Sequence, residues 1–274
     1  MKRITHFPVF SRLLFFIACS FSLSGCVTLY KPNAIHSPML EKKGDGHISS
    51  SLGITGVGLA SLQADYAISN HVGFMASGMY HYKSSNYTND LDAGTEKLNI
   101  VFGEFGAGYF DKFENSESIL LQCYGGGGYG KSQAQISSIF EQDPKVSANF
   151  YDFFIQPGVV FTGKYINMGL DFRVKYVQLY NLNSYKLEDF EWWNFSYTLE
   201  QNYDMEFLLF EPTFTMSVGG KHIRGLMQAG LTVPIVNSES YFGTSSGFFL
   251  NAPIFKFGVG LSYAFGRKAA KVEF

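Results

Sequence analysis

The segment YINMGLDFRVKYVQLY, residues 165–180, alternates between apolar and polar side chains over its whole length. Successive side chains of an extended chain point to opposite faces, so the alternation predicts a β-strand with two unlike faces. Asp171, Arg173 and Lys175 fall on the polar face, whereas Phe172 lies on the apolar face. Such a strand fits a soluble barrel, with the apolar face inward, or a membrane barrel, with the apolar face outward.

Nine further segments show strand patterns, and none keeps the three-to-four-residue spacing of a helix. Apart from a short first connection, tight turns alternate with the long polar segments 84–95, 136–147, 181–203 and 237–252. Sorted connections and an even strand number predict an all-β, antiparallel up-and-down barrel of about ten strands, within a range of about 8–12. The predicted strands lie near residues 46–55, 57–69, 71–83, 96–112, 117–135, 148–162, 164–180, 204–219, 222–236 and 253–266.

The polar faces of these strands carry glycine, alanine and serine with a few isolated charges, which favours a narrow interior over bulk water. In residues 255–266, for example, Phe255 and Phe257 oppose Gly258 and Gly260. Charged residues make up 16% of the chain, below the roughly 25% of soluble domains. We therefore expect the apolar faces to point outward into lipid, with a soluble barrel as the open alternative.

An outward apolar face turns a set of polar residues toward the lumen. Carboxylates and cations confined there are expected to pair, because an unpaired charge in a narrow lumen is costly. We predict that this network holds the barrel closed and plugs it, with a narrow pore as the alternative. Pro157 and Pro212 fall in the middle of strands and are interpreted as β-bulges. The predicted lumen network is Asp65, Glu104, Gln156, Asp171, Arg173, Lys175, Glu211 and Lys256.

The first 26 residues resemble a bacterial lipoprotein signal peptide. A basic head and an apolar run over 13–23 precede Leu23-Ser24-Gly25-Cys26, which is similar to a lipobox. The resemblance implies that residues 1–25 are removed and that Cys26 receives acyl chains such as palmitate. Residues 26–45 then form a lipidated tether, 46–266 form the barrel domain, and 267–274 form a C-terminal tail.

The predicted barrel resembles the small outer-membrane β-barrel proteins of Gram-negative bacteria, the OmpA/OmpX-like superfamily. In the last strand, Lys256, Gly258, Leu261, Tyr263 and Phe265 are similar to the β-signal that the outer-membrane assembly machinery reads. The resemblance implies short periplasmic turns, longer extracellular loops and an outer-membrane location with the N-terminus on the periplasmic side. Two features depart from the family: the chain continues past the last strand, and a lipobox replaces an ordinary signal.

The expected function is that of a lipid-anchored outer-membrane barrel in envelope structure or surface interaction, with no cofactor. Membrane lipid and the outer-membrane assembly machinery are its expected partners. The loop 181–203 holds Phe190, Trp192, Trp193 and Phe195, which predict contact with an extracellular partner or, alternatively, a cap or aromatic belt. The formal net charge of −2 indicates no nucleic-acid partner.

We expect no catalytic residues and no metal site, since no nucleophile, phosphate-loop or metal-ligand motif occurs. Only His81 approaches the outer rim, where a lipid-modifying enzyme would act, and its tyrosine neighbours favour a girdle position. Cys123, in the apolar run LLQCY, is expected to be a packed thiol. The main alternative function is a lipid-tethered periplasmic barrel that binds an apolar ligand in its interior.

Overall fold

Ten antiparallel strands close into one barrel in the computed structural model, which describes residues 30–266 apart from 55–58, 90–91, 114–115, 117, 139–144, 192–193 and 238–253. Each strand pairs with its neighbours in chain order, and β10 closes onto β1. The predicted all-β, up-and-down antiparallel barrel is therefore confirmed. The strands are β1 Gly46–Gly53, β2 Leu59–Ala67, β3 Val72–Asn89, β4 Asp92–Lys112, β5 Ile119–Ser138, β6 Lys145–Phe161, β7 Ile166–Glu191, β8 Asn194–Gly219, β9 Ile223–Asn237 and β10 Ile254–Phe265.

The barrel has two unlike ends. At the turn end, the strands are joined by the connections 68–71, 113–118, 162–165 and 220–222, and β1 begins beside the end of β10. At the opposite end, which we call the loop end, two strand pairs form long hairpins. β3 pairs with β4 up to Asn89 and Asp92, and β7 pairs with β8 up to Glu191 and Asn194.

These extended hairpins change the prediction for two segments. Most of 84–95 and 181–203, predicted as long loops, is strand, because the backbone ladder continues beyond the predicted strand ends. The described residues contain no helix that is long and apolar enough to cross a membrane.

Between its two ends, the barrel wall turns charged side chains inward and apolar side chains outward. On β7, Ile166 is 47% exposed and Phe172 is 40% exposed, whereas Arg173 and Lys175 are fully buried. The same alternation holds on β4, where Phe105 is exposed and its neighbour Glu104 is buried. The alternation in the sequence is thus resolved with the apolar face outside the barrel.

Pro157 and Pro212 do not form the predicted bulges. The residue pairs before and after each proline keep one register on both neighbouring strands, so no extra residue is inserted there. A proline lacks an N–H group, and the ladder is simply interrupted beside it on one side. The bulge interpretation is therefore wrong at both positions.

Residues 30–45, which we call the lumen segment, run from the barrel interior, where 30–40 are buried or half-buried, to the turn end, where Lys42 and Lys43 are exposed. At the turn end, the backbone N–H of Gly44 donates to the carbonyl oxygen of Ala67 at 2.9 Å. In the loop-end half of the barrel, the ring of Tyr30 packs edge-on against Phe150, with ring centroids 5.3 Å apart. The sequence assigns residues 26–45 to a tether, and residues 30–40 of that tether lie in the lumen.

The interior is layered along the barrel axis. An apolar cluster lies at the turn end, a second apolar cluster lies in the loop-end half, and most of the buried charges lie between them. The lumen segment contributes to both clusters, with Leu40 in the first and Tyr30 in the second. The turn-end cluster is Met39, Leu40, Ala67, Phe110, Leu120 and Val160.

Candidate functional site

The largest buried ionic group joins β4, β6 and β7 in the middle of the lumen. The guanidinium of Arg173 donates to both carboxylate oxygens of Glu104, at 3.0 and 3.1 Å, and to Gln156 Oε1 at 2.7 and 2.9 Å. Lys175 also contacts Glu104 and lies 3.1 Å from a carboxylate oxygen of Asp152. All five side chains are buried. The two cations are compensated by the two carboxylates that they contact.

A second buried ion pair bridges β8 and β10. Lys256 Nζ lies 2.9 Å from Glu211 Oε1, which also accepts a hydrogen bond from the hydroxyl of Thr232 at 2.7 Å. The same ammonium group donates to the backbone carbonyl of Asn33 at 3.3 Å. This pair therefore holds the lumen segment as well as the wall.

A histidine cluster lies nearer the turn end. Asp65 on β2 accepts hydrogen bonds at both carboxylate oxygens, from His36 Nε2 at 2.6 Å and from His47 Nδ1 at 2.8 Å. The other ring nitrogen of His36 lies 2.9 Å from Gln63 Oε1. No group of His, Cys, Asp and Glu side chains that could hold a metal ion is found among the described residues, this cluster included.

Asp171 is a further buried carboxylate, beside the main ionic group, where it interacts with Gln156 and Arg173. Its Oδ1 accepts a hydrogen bond from Gln122 Nε2 at 2.8 Å, and the same amide lies 3.1 Å from the hydroxyl of Ser37. The amide of Gln122, on β5, thus links Asp171 on β7 to Ser37 in the lumen segment.

Four consecutive backbone carbonyls of the lumen segment, in residues 33–36, each accept a hydrogen bond from a different strand. These bonds recognise the backbone and not a particular side chain, since all four acceptors are peptide oxygens. The wall therefore binds this peptide segment through its backbone. The donors are Lys256 for residue 33 at 3.3 Å, Gln63 for residue 34 at 3.1 Å, Gln228 for residue 35 at 2.8 Å and Gln156 for residue 36 at 2.8 Å.

Two glycines on the inner wall make room for this segment. A Cβ atom on Gly73 would lie 2.5 Å from the Leu40 side chain, and one on Gly169 would lie 2.7 Å from the hydroxyl oxygen of Ser37. Both distances are shorter than any ordinary carbon contact. The absence of a side chain at these positions is a packing requirement of the filled lumen.

The structure places all the residues of the predicted lumen network inside the barrel, but in separate groups. Glu104, Gln156, Arg173 and Lys175 come together with Asp171 beside them, Glu211 pairs with Lys256, and Asp65 lies nearer the turn end. The predicted inward position of the network is thus observed, while its members belong to more than one group.

Sequence reasoning missed Asp152, His47 and His36. Asp152 and His47 could have been found from strand parity, because each shares the inner face of its strand with a buried polar residue. His36 gives no such signal, since the lumen segment has no periodic pattern.

The outer wall carries two belts of exposed tyrosines around a zone of aliphatic residues and phenylalanine. The belt at the turn end includes Tyr66, Tyr109, Tyr165 and Tyr263, which are 46–61% exposed. The belt toward the loop end includes Tyr80, Tyr82 and Tyr129, which are 45–56% exposed. Between the belts lie exposed side chains such as Phe105, Phe153 and Ile155.

Two single-residue expectations are corrected by strand parity. His81 does not lie in the outer girdle with Tyr80 and Tyr82; it points into the lumen and is fully buried. Among the described residues, neither of its ring nitrogens has a hydrogen-bond partner. Cys123 is not packed inside; it is exposed on the outer face of β5.

Several predicted sites fall where no side chain is described. Cys26, Trp192 and Trp193 lie outside the described residues. Phe190 and Phe195 belong to the hairpin of β7 and β8, where the structure describes the backbone. Contact of this hairpin with a partner stays a prediction.

Comparison with known proteins finds no protein-family model and no curated protein that matches the chain.

Proposed function

We propose that this chain is a lipid-anchored barrel of a bacterial outer membrane, with a plugged lumen, that acts in envelope structure or surface interaction. The observation that carries the proposal is the outer wall, where two tyrosine belts flank a band of exposed apolar side chains. Membrane barrels have such a band, about 25 Å tall, with aromatic girdles at both interfaces. A wall of this kind in water would expose a large continuous apolar surface.

The filled interior favours a structural role over transport. Apolar clusters close the lumen on both sides of the buried ion pairs, and the lumen segment runs through all three layers. An interior of this kind is also unsuited to the alternative function, binding of an apolar ligand, because the lumen segment already occupies it and contributes Tyr30 and Leu40 to the two apolar clusters. Surface interaction through the hairpin of β7 and β8 remains the second half of the proposal.

Lysine substitutions on the outer wall test the membrane assignment. Ile155 lies between the tyrosine belts and is 55% exposed, whereas Tyr165 lies at the turn end and is 61% exposed. In a membrane, Ile155→Lys is expected to lower the free energy of unfolding by about 2–4 kcal/mol, and Tyr165→Lys by about 0–1 kcal/mol. Urea titration of the protein in lipid vesicles measures both. Equal, negligible effects would contradict a lipid-facing wall.

A second test separates insertion in the membrane from tethering to it. Residues 1–26 are replaced by an ordinary secretory signal, so that the exported protein carries no lipid. The proposal expects this protein to sediment with outer membranes and to need detergent for extraction. A monodisperse, folded protein in plain buffer would contradict the proposal and favour a tethered soluble barrel.

A further inference from the structure

The lumen segment has a direction along the barrel axis. Near its C-terminal end, the backbone N–H of Lys43 donates to Asn70 Oδ1 at 3.1 Å, in a turn-end connection. The carbonyls of residues 33–36 are held by wall residues farther up the lumen. Tyr30 packs against Phe150, in the loop-end half of β6. The contacts therefore move from the turn end toward the loop end as the residue number falls.

The chain between Tyr30 and Cys26 is too short to bring Cys26 back to the turn end. The four residue-to-residue steps from Tyr30 to Cys26 span at most about 14 Å when fully extended. The stretch of β6 from Phe150 to Phe161, at the turn end, measures about 36 Å along the strand, or about 25 Å of height at a tilt of about 45°. Buried side chains and the lumen segment itself occupy the lumen over that height.

We propose that the chain is threaded through its own barrel, so that the residues before Tyr30 leave at the loop end and the acylated Cys26 is anchored in the leaflet at that end. This inference rests on the proposed function. In an outer membrane with the loop end outside, the lipid is on the cell surface. The proposal replaces the sequence-based expectation of an N-terminus on the periplasmic side.

Threading explains why a barrel would carry a lipid in addition to its own membrane-facing wall. Burial of the CH₂ groups of an acyl chain stabilises membrane binding. The lipid would hold the segment at the loop end, while β1, which begins at Gly46, holds it at the turn end. A segment fixed at both ends stays in the lumen even when individual hydrogen bonds open.

Protease accessibility in intact Gram-negative cells tests the threading. A site for a sequence-specific protease, flanked by glycine and serine, is inserted between Val27 and Thr28 of the full chain. Matched insertions follow Asn89, where β3 ends at the loop end, and Lys221, in a turn-end connection. Metabolic labelling with a radioactive fatty acid marks the lipid, and cleavage at the first site removes the label from the barrel.

The expected result is loss of the label in intact cells, cleavage after Asn89 in intact cells, and cleavage after Lys221 only in permeabilised cells. If the Asn89 and Lys221 sites behave in this way but the label persists in intact cells, threading is overturned and the membrane barrel stands. If intact cells show cleavage at both the Asn89 and Lys221 sites, or at neither, the proposed outer-membrane orientation is overturned. The inference then fails with it.

Discussion

His36 Nε2 lies 2.6 Å from Asp65 Oδ2, and this contact joins the lumen segment to the barrel wall. Both side chains are buried, and the other oxygen of the carboxylate is held by His47 at 2.8 Å. The contact links residues that are far apart in the sequence and have no common periodic pattern. It identifies the lumen segment as part of the folded structure.

Replacing His36 is expected to loosen the lumen segment while the barrel stays closed. His36→Ala removes hydrogen bonds to Asp65 and Gln63 and leaves the carboxylate with one partner fewer, at a cost of about 1.5–3 kcal/mol. Hydrogen exchange measured by mass spectrometry should then be faster over residues 30–45. The control is His71→Ala, whose half-exposed pair with Asp111 at 3.5 Å should leave exchange unchanged. Unchanged exchange in His36→Ala would argue against a segment held by this cluster.

The central ionic group should be costly to break and cheaper to remove as a unit. Glu104→Gln leaves Arg173 and Lys175 buried with less compensating charge, so we expect a loss of about 3–5 kcal/mol in unfolding free energy. Adding Lys175→Met should cost less than the sum of the two single changes, with a coupling of about 0.5–3 kcal/mol. Urea titration in lipid vesicles measures these values.

The control for this cycle is Asp111→Asn, because Asp111 is half-exposed and meets His71, Tyr109 and the backbone N–H of Lys112 at the surface. An exposed ion pair contributes about 0–1 kcal/mol. Additive effects of Glu104→Gln and Lys175→Met, or a loss no larger than that of Asp111→Asn, would contradict a compensated ionic core.

The alternation of side chains between the two faces of each strand accounts for most of what the sequence could predict. The alternation around Phe172 and Arg173 specifies which side chains share a face, and the small residues opposite the aromatic ones indicate which face is confined. From this rule follow the strand number, the closed barrel and the inward position of the charges. Asp152 and His47 follow from the same rule when it is applied to every strand.

The lumen segment could not be predicted in the same way. Its position depends on hydrogen bonds from side chains of β2, β6, β9 and β10, which meet only after the barrel has closed. Residues 30–45 have no repeat that would mark a buried face. The pairing of charges across the lumen is equally non-local, so Asp65 was predicted inside but its partner His36 was not.

The inner-wall glycine Gly73 provides a direct measure of how tightly the lumen is filled. Gly73→Ala places a methyl group where Leu40 now lies, and overpacking of this kind costs about 1–3 kcal/mol. Leu40→Ala alone leaves a cavity and should cost about 2–5 kcal/mol. The double variant should be more stable than the sum of the two changes predicts, because the added methyl group fills part of the space.

The matched control for Gly73→Ala is Gly78→Ala on the same strand. A Cβ atom on Gly78 would have its nearest neighbour at 3.9 Å, which is ordinary contact, so no overpacking cost is expected. Equal stabilities of the two alanine variants, or strict additivity of Gly73→Ala and Leu40→Ala, would show that the lumen segment does not pack against β3.

Removal of the plug should convert a silent barrel into a conducting one. We expect the full chain to give no large, steady conductance in planar bilayers, because apolar clusters close the lumen on both sides of the ion pairs. Replacing residues 30–40 with a glycine–serine sequence of equal length removes Tyr30 and Leu40 from those clusters and should produce discrete conductance steps. The variant must show the same heat-dependent shift in gel mobility as the full chain, which verifies that its barrel is folded. A large, steady conductance from the full chain, or a silent folded variant, would mean that the lumen segment is not the plug.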